Sequence, residues 1–462
     1  MPLGTIQQSL RSKRLVEWDQ QHVLHGIIPM GFNAGFLIDH ADGVSLYTSD
    51  GRSFLDGSSQ LMCVELGYRE QYKHEVAEAV AAEIEKLPYC TNFWGFSTES
   101  VINAAQGLSE IVPPELTRFL FTPGGGESVE IALILSRTYW KLAGTKKYKV
   151  ISLFNSYHGD YWGCASSTHV GNSAFSNPIA PMVPGFFSVP DYYCYRCPLG
   201  LKHGECGTAC AKLVEQFILA EGPDTVAALV CEVEHGTAGC IPSPPEWLPI
   251  VRDICTRHNV HLIADEVMTG FGRTSVNGNA FACQISGVAP DFITMAKGIT
   301  SAYMPLGAVA MTEDVFEGLK GYVFSGPTYT GHPAACAAAA KVMEIYKRDG
   351  VFDHAAEMGR YLRQQLEAIT ADVPEVVEIG GYGMLLGIEV VKDPETKVPF
   401  PFGAMVALQE TALAKGLYIR LSGGAPRYMV APPLTSTKEE IDRMTAILSD
   451  ALRAPEWRKV EF

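Results

Sequence analysis

Ile263-Ala264-Asp265-Glu266-Val267 and Thr294-Met295-Ala296-Lys297-Gly298 share one design: an apolar run of strand type that ends in a charge. In an open parallel α/β sheet the carboxyl ends of the strands converge on one edge, and ligands bind there. Outward from this pair, short apolar runs alternate with helical patterns from Arg118 onward, the signature of a βαβ succession. Strands are expected at 119–122, 150–154, 226–231, 261–264, 292–296 and 307–311. Most are apolar on both faces, as in a parallel sheet covered by helices. Leu248, Val251, Ile254 and Cys255 fall on one face of an amphipathic helix between two of them.

The chain ends are patterned differently. Residues 35–38, 44–48 and 53–55 read as a small meander with Asp-Gly turns at Asp42-Gly43 and Asp50-Gly51. After Ala334 a long helix is expected, then a strand at 383–391, then Ala431-Pro432-Pro433 before a final helix. The expected fold is therefore α/β, with a large domain over 71–334 around a mostly parallel sheet. A small α+β domain is formed by both chain ends, 1–70 and 335–462. Residues 171–210, rich in Gly, Pro, Ser, Asn and Cys, read as an excursion over the surface or the site mouth.

A chain of 462 residues that is 47% hydrophobic has enough material for a sizeable core. Its net charge of -15 argues against a nucleic-acid partner and gives no electrostatic reason to bind anionic lipid. Residues 9–18 are charged and lack the apolar core of a signal peptide. The longest apolar stretch, 292–311, is broken by Lys297, Gly298, Pro305 and Gly307, so it is not read as a membrane span. A cytoplasmic protein is expected. Most of the twelve cysteines sit singly in apolar runs, but Cys194, Cys197, Cys206 and Cys210 cluster. They have the ligand number of a tetrahedral zinc site. Their second half runs into a helical pattern, where such pairs also arise by chance, so reduced thiols are the plainer reading and no metal is expected.

The charges at the strand ends suit pyridoxal 5'-phosphate (PLP). A lysine holds the aldehyde as a Schiff base, and an aspartate pairs with the pyridinium nitrogen. Lys297 has apolar flanks on both sides, which leave little room to snorkel to water and depress its pKa. Thr122-Pro123-Gly124-Gly125-Gly126-Glu127-Ser128 leads from a strand into a helix, so its N–H groups can cradle a phosphate; a plain strand-to-helix turn reads equally well. It lacks the Gly-Lys-Ser/Thr ending of a Walker A loop, which removes the partner a magnesium-binding Asp265-Glu266 pair requires. Tyr157-His158-Gly159 follows another strand, where Tyr157 stacks on a planar cofactor or simply half-buries in a turn. His158 reads as structural. Thr328-Tyr329-Thr330-Gly331-His332-Pro333 caps a helix or completes a phosphate site.

Taken together, these segments resemble the class III aminotransferases, the ω-transaminase branch of fold-type I PLP enzymes, from about residue 35 to 452. The resemblance implies that Lys297 carries the cofactor and Asp265 meets its ring nitrogen. It places Val267 beneath the ring, Tyr157 above it, and Gly125 and Gly126 at the phosphate. Thr328 matches a threonine that reaches the phosphate of a neighbouring subunit, implying a homodimer, or dimer of dimers, with shared sites. Glu232 matches a glutamate near the aspartate. Arg420 resembles the arginine that binds a substrate carboxylate, with Arg427 as a competitor. Met62, Phe93 and Trp94 fall where this branch lines its substrate pocket. Three departures stand out: Gly126 replaces a frequent serine, Val233-Glu234 a frequent Pro-Val, and Gly380-Gly381 a frequent Arg-Gly.

The implied activity is ping-pong amino transfer from a primary amine or amino acid to a 2-oxo acid such as pyruvate or 2-oxoglutarate, through the Schiff base on Lys297. An aminomutase or 2-epimerase of the same family is the alternative, and a non-catalytic homologue is a more distant one.

Overall fold

The six apolar runs become strands of one seven-stranded sheet, with order Leu116–Thr122, Gly307–Thr312, Phe292–Met295, His261–Asp265, Val226–Glu232, Lys149–Leu153 and Phe186–Val189. This computed structural model describes residues 10–26, 36–171, 179–321 and 325–461. Gly307–Thr312 runs antiparallel to both of its neighbours, while the pairings from Phe292–Met295 out to Phe186–Val189 are parallel. The interior strands are buried on both faces, and alternate residues serve opposite cores. Ala228, Val230 and Ile263 join the cluster under helix Gly125–Leu142; Leu229, Cys231, Leu262 and Ala264 join the larger core on the other side. That larger core takes in Leu248, Val251, Ile254 and Cys255 of helix Trp247–Arg257.

The seventh strand, Phe186–Val189, lies inside the stretch expected to be an excursion. Its four residues pair with Val150, Ile151, Ser152 and Leu153 and cover the sheet edge. A strand this short, between turn-rich segments, carries no periodic signal of its own.

The two chain ends meet through backbone pairing: Leu55 and Asp56 lie parallel to Leu417 and Tyr418. The N-terminal meander forms as Ile38–Asp42, Ser45–Thr48 and Ser53–Asp56, with Gly43 and Gly51 at φ 58° and 86° in its turns. Gly35, assigned to its first strand from sequence, lies outside the described residues. Towards the C-terminus the expected long helix is two, Pro333–Arg348 and Val351–Thr370, and the expected strand is Leu385–Asp393 within a five-stranded sheet.

Register brings the chemistry to one place. Asp265 pairs with Glu232 on one side and Thr294 on the other, so three strand ends align. Because Gly307–Thr312 runs the other way, its first residue is at this same edge, opposite Thr122. A β-carbon at Gly307 would lie 2.6 Å from the Gly124 carbonyl, so glycine lets the 122–128 turn close onto the sheet.

Candidate active site

Lys297 leaves its strand in the left-handed region, φ 43°, a conformation that is uncommon for a side chain of this size. Burial depresses its ammonium pKa, opposed by the nearby Cys63 and Asp265 and reinforced by the Arg420 cation. Lys297, Asp265 and Arg420 therefore share one electrostatic neighbourhood.

Asp265 is almost wholly buried and held on every side. His158 Nδ1 lies 2.7 Å from Oδ2, the Val267 N–H donates to Oδ1 at 3.1 Å, and the Thr294 hydroxyl donates to Oδ1 at 3.2 Å. His158, read from sequence as structural, is thus the closest partner of the carboxylate, and its Nε2 is buried without a partner. Nothing in the Tyr-His-Gly triplet reveals that contact; it arises only when two strand ends align.

Gly125 and Gly126 open helix Gly125–Leu142. A β-carbon on Gly125 would lie 2.6 Å from Val267 Cγ1, so the valine side chain packs directly against the glycine turn. Tyr157 is held at the neighbouring strand end. Its N–H donates to Glu232 Oε2 at 3.2 Å and its hydroxyl to Asp160 at 3.1 Å. Glu232 also has His235 Nδ1 at 3.0 Å and accepts the Gly236 N–H at 3.1 Å. All of these contacts to Glu232 are with protein groups, which fix the Tyr157 turn. Glu266 is likewise occupied, accepting the N–H groups of Ala282 and Cys283 at 3.0 and 2.7 Å.

On the other side of Lys297, Ser59, Gln60 and Met62 all have positive φ (43°, 57° and 52°). Each such residue costs roughly 1–3 kcal/mol and persists only where its surroundings enforce it. Here Asp56 accepts the N–H groups of Ser58 and Gln60 at 3.2 and 3.0 Å. The turn delivers Met62 into a buried cluster with Cys240, Leu385 and Met429, where its sulfur lies 3.9 Å from Arg420 Nη1.

Arg427 does not share that position. It is fully buried, donates to the carbonyls of Gly239 and Gly387 at 2.7 and 2.9 Å, and pairs with Glu389 at 3.1 Å and with Glu378. Its guanidinium also fills the space beside Gly380, where a β-carbon would meet Nη2 at 2.6 Å. Arg427→Ala is expected to destabilise the fold by roughly 3–5 kcal/mol, because it removes the cation between Glu378 and the fully buried Glu389, which keeps only Arg196 and Tyr193, and leaves the Gly239 and Gly387 carbonyls without their donor. Arg420→Ala is expected to leave urea stability within ~0.5 kcal/mol of wild type. Urea melts on both variants check this.

Behind the site, Glu65 and Arg273 are fully buried with 3.6 Å between Oε1 and Nη2. Glu65 Oε2 has no partner. Burial pushes the Glu65 carboxyl up to about 7, against the pull of Arg273. The folded state then holds this proton more tightly than the unfolded chain, so the group's contribution to stability is lost as pH rises from 4.5 to about 7. Glu65→Gln is expected to flatten the urea-midpoint profile between about pH 4.5 and 7; an unchanged slope would contradict it.

Thr328 is exposed, and its carbonyl accepts the Tyr89 hydroxyl at 2.7 Å. Trp94 is 88% exposed and meets the Phe93 ring edge-on. Neither is drawn into the Lys297 cluster. Cys194, Cys197, Cys206 and Cys210 are free thiols around one small cavity, and burial pushes Cys194 up to about 12 and Cys210 to about 11. Among the described residues no three His, Cys, Asp or Glu side chains are grouped as a metal ion requires.

These residues fit PLP: a desolvated amine, a buried carboxylate held for a ring nitrogen, and an N-terminal glycine turn against an aliphatic side chain. The sequence pattern of the family described as aminotransferase class-III matches residues 30–452. The chain is 39% identical to a probable aminotransferase of Mycobacterium tuberculosis, over 90% of this chain and 89% of that one. It is 34% identical to a diaminobutyrate–2-oxoglutarate transaminase of Halomonas elongata, over 94% of each. It is also similar to the solved amine transaminase of an uncultivated Pseudomonas species in its PLP-bound form, with TM-score 0.87 and 30% identity over 93% of this chain and 98% of that one. The chain belongs to the class III aminotransferases.

Proposed function

We propose that this enzyme moves an amino group from a primary amine or amino acid to a 2-oxo acid such as pyruvate or 2-oxoglutarate, in two half-reactions that share Lys297. The convergence of Lys297, Asp265 and the glycine turn on one strand edge carries the proposal. Class III aminotransferases use PLP. When bound, its pyridinium ring accepts the electron pair left as the substrate C–H bond breaks.

This chain's residues supply the rest. The Lys297 amine, its pKa lowered by burial, holds the cofactor and, once displaced by the substrate amine, carries the proton from the substrate carbon through Nζ. Asp265 keeps the ring nitrogen protonated, and His158 fixes the carboxylate that does so. Val267 and Tyr157 would hold the ring by packing against it, with Glu232 anchoring the Tyr157 backbone. The N–H groups of Gly125 and Gly126, at the positive end of their helix, hold the phosphate. Arg420 receives the carboxylate of an amino or oxo acid, with Met62 lining the substrate side; Trp94, apart from Lys297 in its own chain, would line a substrate pocket only across a subunit interface. Thr328 serves a neighbouring subunit's phosphate in a homodimer or dimer of dimers. Its exposure beside Tyr329, 60% exposed, and that of Trp94 and Phe96, 88% and 60%, support a covered face there. No described helix is long and apolar enough to cross a membrane, and the cytoplasm is the proposed location.

The test is a half-reaction: enzyme with PLP and a panel of amines, with no oxo acid present. One equivalent of carbonyl product per site, with loss of the near-visible absorption band, is expected for an effective amine. Catalytic racemisation or rearrangement of an amine with the band retained would replace this reading with an isomerase.

A further inference from the structure

The second glycine of the phosphate turn has no room for a side chain. A β-carbon on Gly126 would lie 2.9 Å from Cδ2 and 3.0 Å from Cε2 of Tyr161. Gly159 closes in from the same segment, where a β-carbon would meet Gly126 Cα at 3.0 Å. Tyr161 is 52% exposed, so core packing does not dictate where its ring lies. Its hydroxyl supplies the constraint, donating to Glu127 Oε1 at 2.8 Å.

Glu127 is the third residue of helix Gly125–Leu142. A glutamate there ordinarily turns back onto the unsatisfied N–H groups of the first turn. Its Oε2 lies 3.0 Å from where a Gly124 β-carbon would be, close to those N–H groups, yet no hydrogen bond joins it to them among the described residues. Those N–H groups are the ones an incoming phosphate needs, and a carboxylate free to reach them would compete with it and repel it. The Tyr161 hydroxyl holds the other carboxylate oxygen.

We propose that Tyr161 is a cofactor-positioning residue, its ring closing the side of the phosphate cradle that Gly126 leaves open and its hydroxyl restraining the Glu127 carboxylate. This rests on the reading of Gly125 and Gly126 as the PLP phosphate cradle. Glycine at 126 and tyrosine at 161 are then a matched pair: a serine at 126 requires the ring to leave.

PLP affinity of the apo-protein, titrated by near-visible absorbance and tryptophan quenching, tests the pairing without reference to turnover. Gly126→Ser is expected to weaken PLP about tenfold, the scale of coupling between touching residues. Tyr161→Phe, one oxygen smaller, is expected to weaken it several-fold. The double variant Gly126→Ser/Tyr161→Ala is expected to bind more tightly than Gly126→Ser alone, because removing the ring admits the serine. Thermal melts of the apo-proteins identify any variant that misfolds, and Tyr161→Phe then carries the test. Wild-type affinity in Tyr161→Phe, or strictly additive losses in the double variant, would overturn the proposal. Failure of wild type itself to bind PLP would instead remove the cradle reading beneath it.

Discussion

Lys297→Ala is expected to lose amino transfer by roughly 10⁴-fold or more, yet to fold and still take up PLP. The expected rate loss combines the covalent attachment point and the proton carrier, the latter alone worth about 10²–10⁴-fold. Folding survives because the substitution removes a charge whose burial is unfavourable, as its lowered pKa records. Cofactor uptake is expected to survive because the proposed phosphate cradle and ring partner, Gly125, Gly126 and Asp265, are untouched. Initial rates at saturating PLP, with the apo and loaded spectra, check all three statements. A small primary amine added to the buffer is expected to restore part of the rate; a variant that stays fully active would end the assignment of Lys297.

Asp265→Asn is the second large effect, a kcat loss of roughly 10³-fold, the scale found when one charge-stabilising group is removed from an active site. Asparagine keeps the shape and can still accept the Val267 N–H and the Thr294 hydroxyl that now meet Oδ1 at 3.1 and 3.2 Å. It cannot hold a proton on the ring nitrogen by charge. KM is expected to change far less than kcat, because the interaction matters most as charge develops. His158→Gln is expected to give a smaller loss in the same direction, since His158 acts only through Asp265, at 2.7 Å. A loss confined to KM in Asp265→Asn would contradict the role.

The interior strands of the central sheet were readable from sequence because they are buried on both faces and so stand out as apolar runs between helical patterns. Asp265 and Lys297 stood out as candidates for the same reason: a charge at the end of such a run is conspicuous. What sequence could not supply was partnership. His158 meets Asp265, and Arg427 meets Glu378 and Glu389, only through tertiary alignment of distant segments. Seven positions separate Arg420 from Arg427, and one lies against Met62 near Lys297 while the other is locked in a buried ion-pair network. Strand Val376–Tyr382 escaped notice because its paired glycines and glutamate hide the alternation. Glu65 was invisible because a carboxylate in an apolar stretch looks like a surface residue until Arg273 arrives beside it.

The most direct measurement is to load the protein with PLP, reduce it with borohydride, digest it and locate the cofactor by mass spectrometry. The expected result is a stoichiometric pyridoxyl phosphate adduct on the peptide containing Lys297 and on no other lysine. An adduct on a different lysine, or no adduct at all, would contradict the assignment of Lys297 as the residue that carries the cofactor.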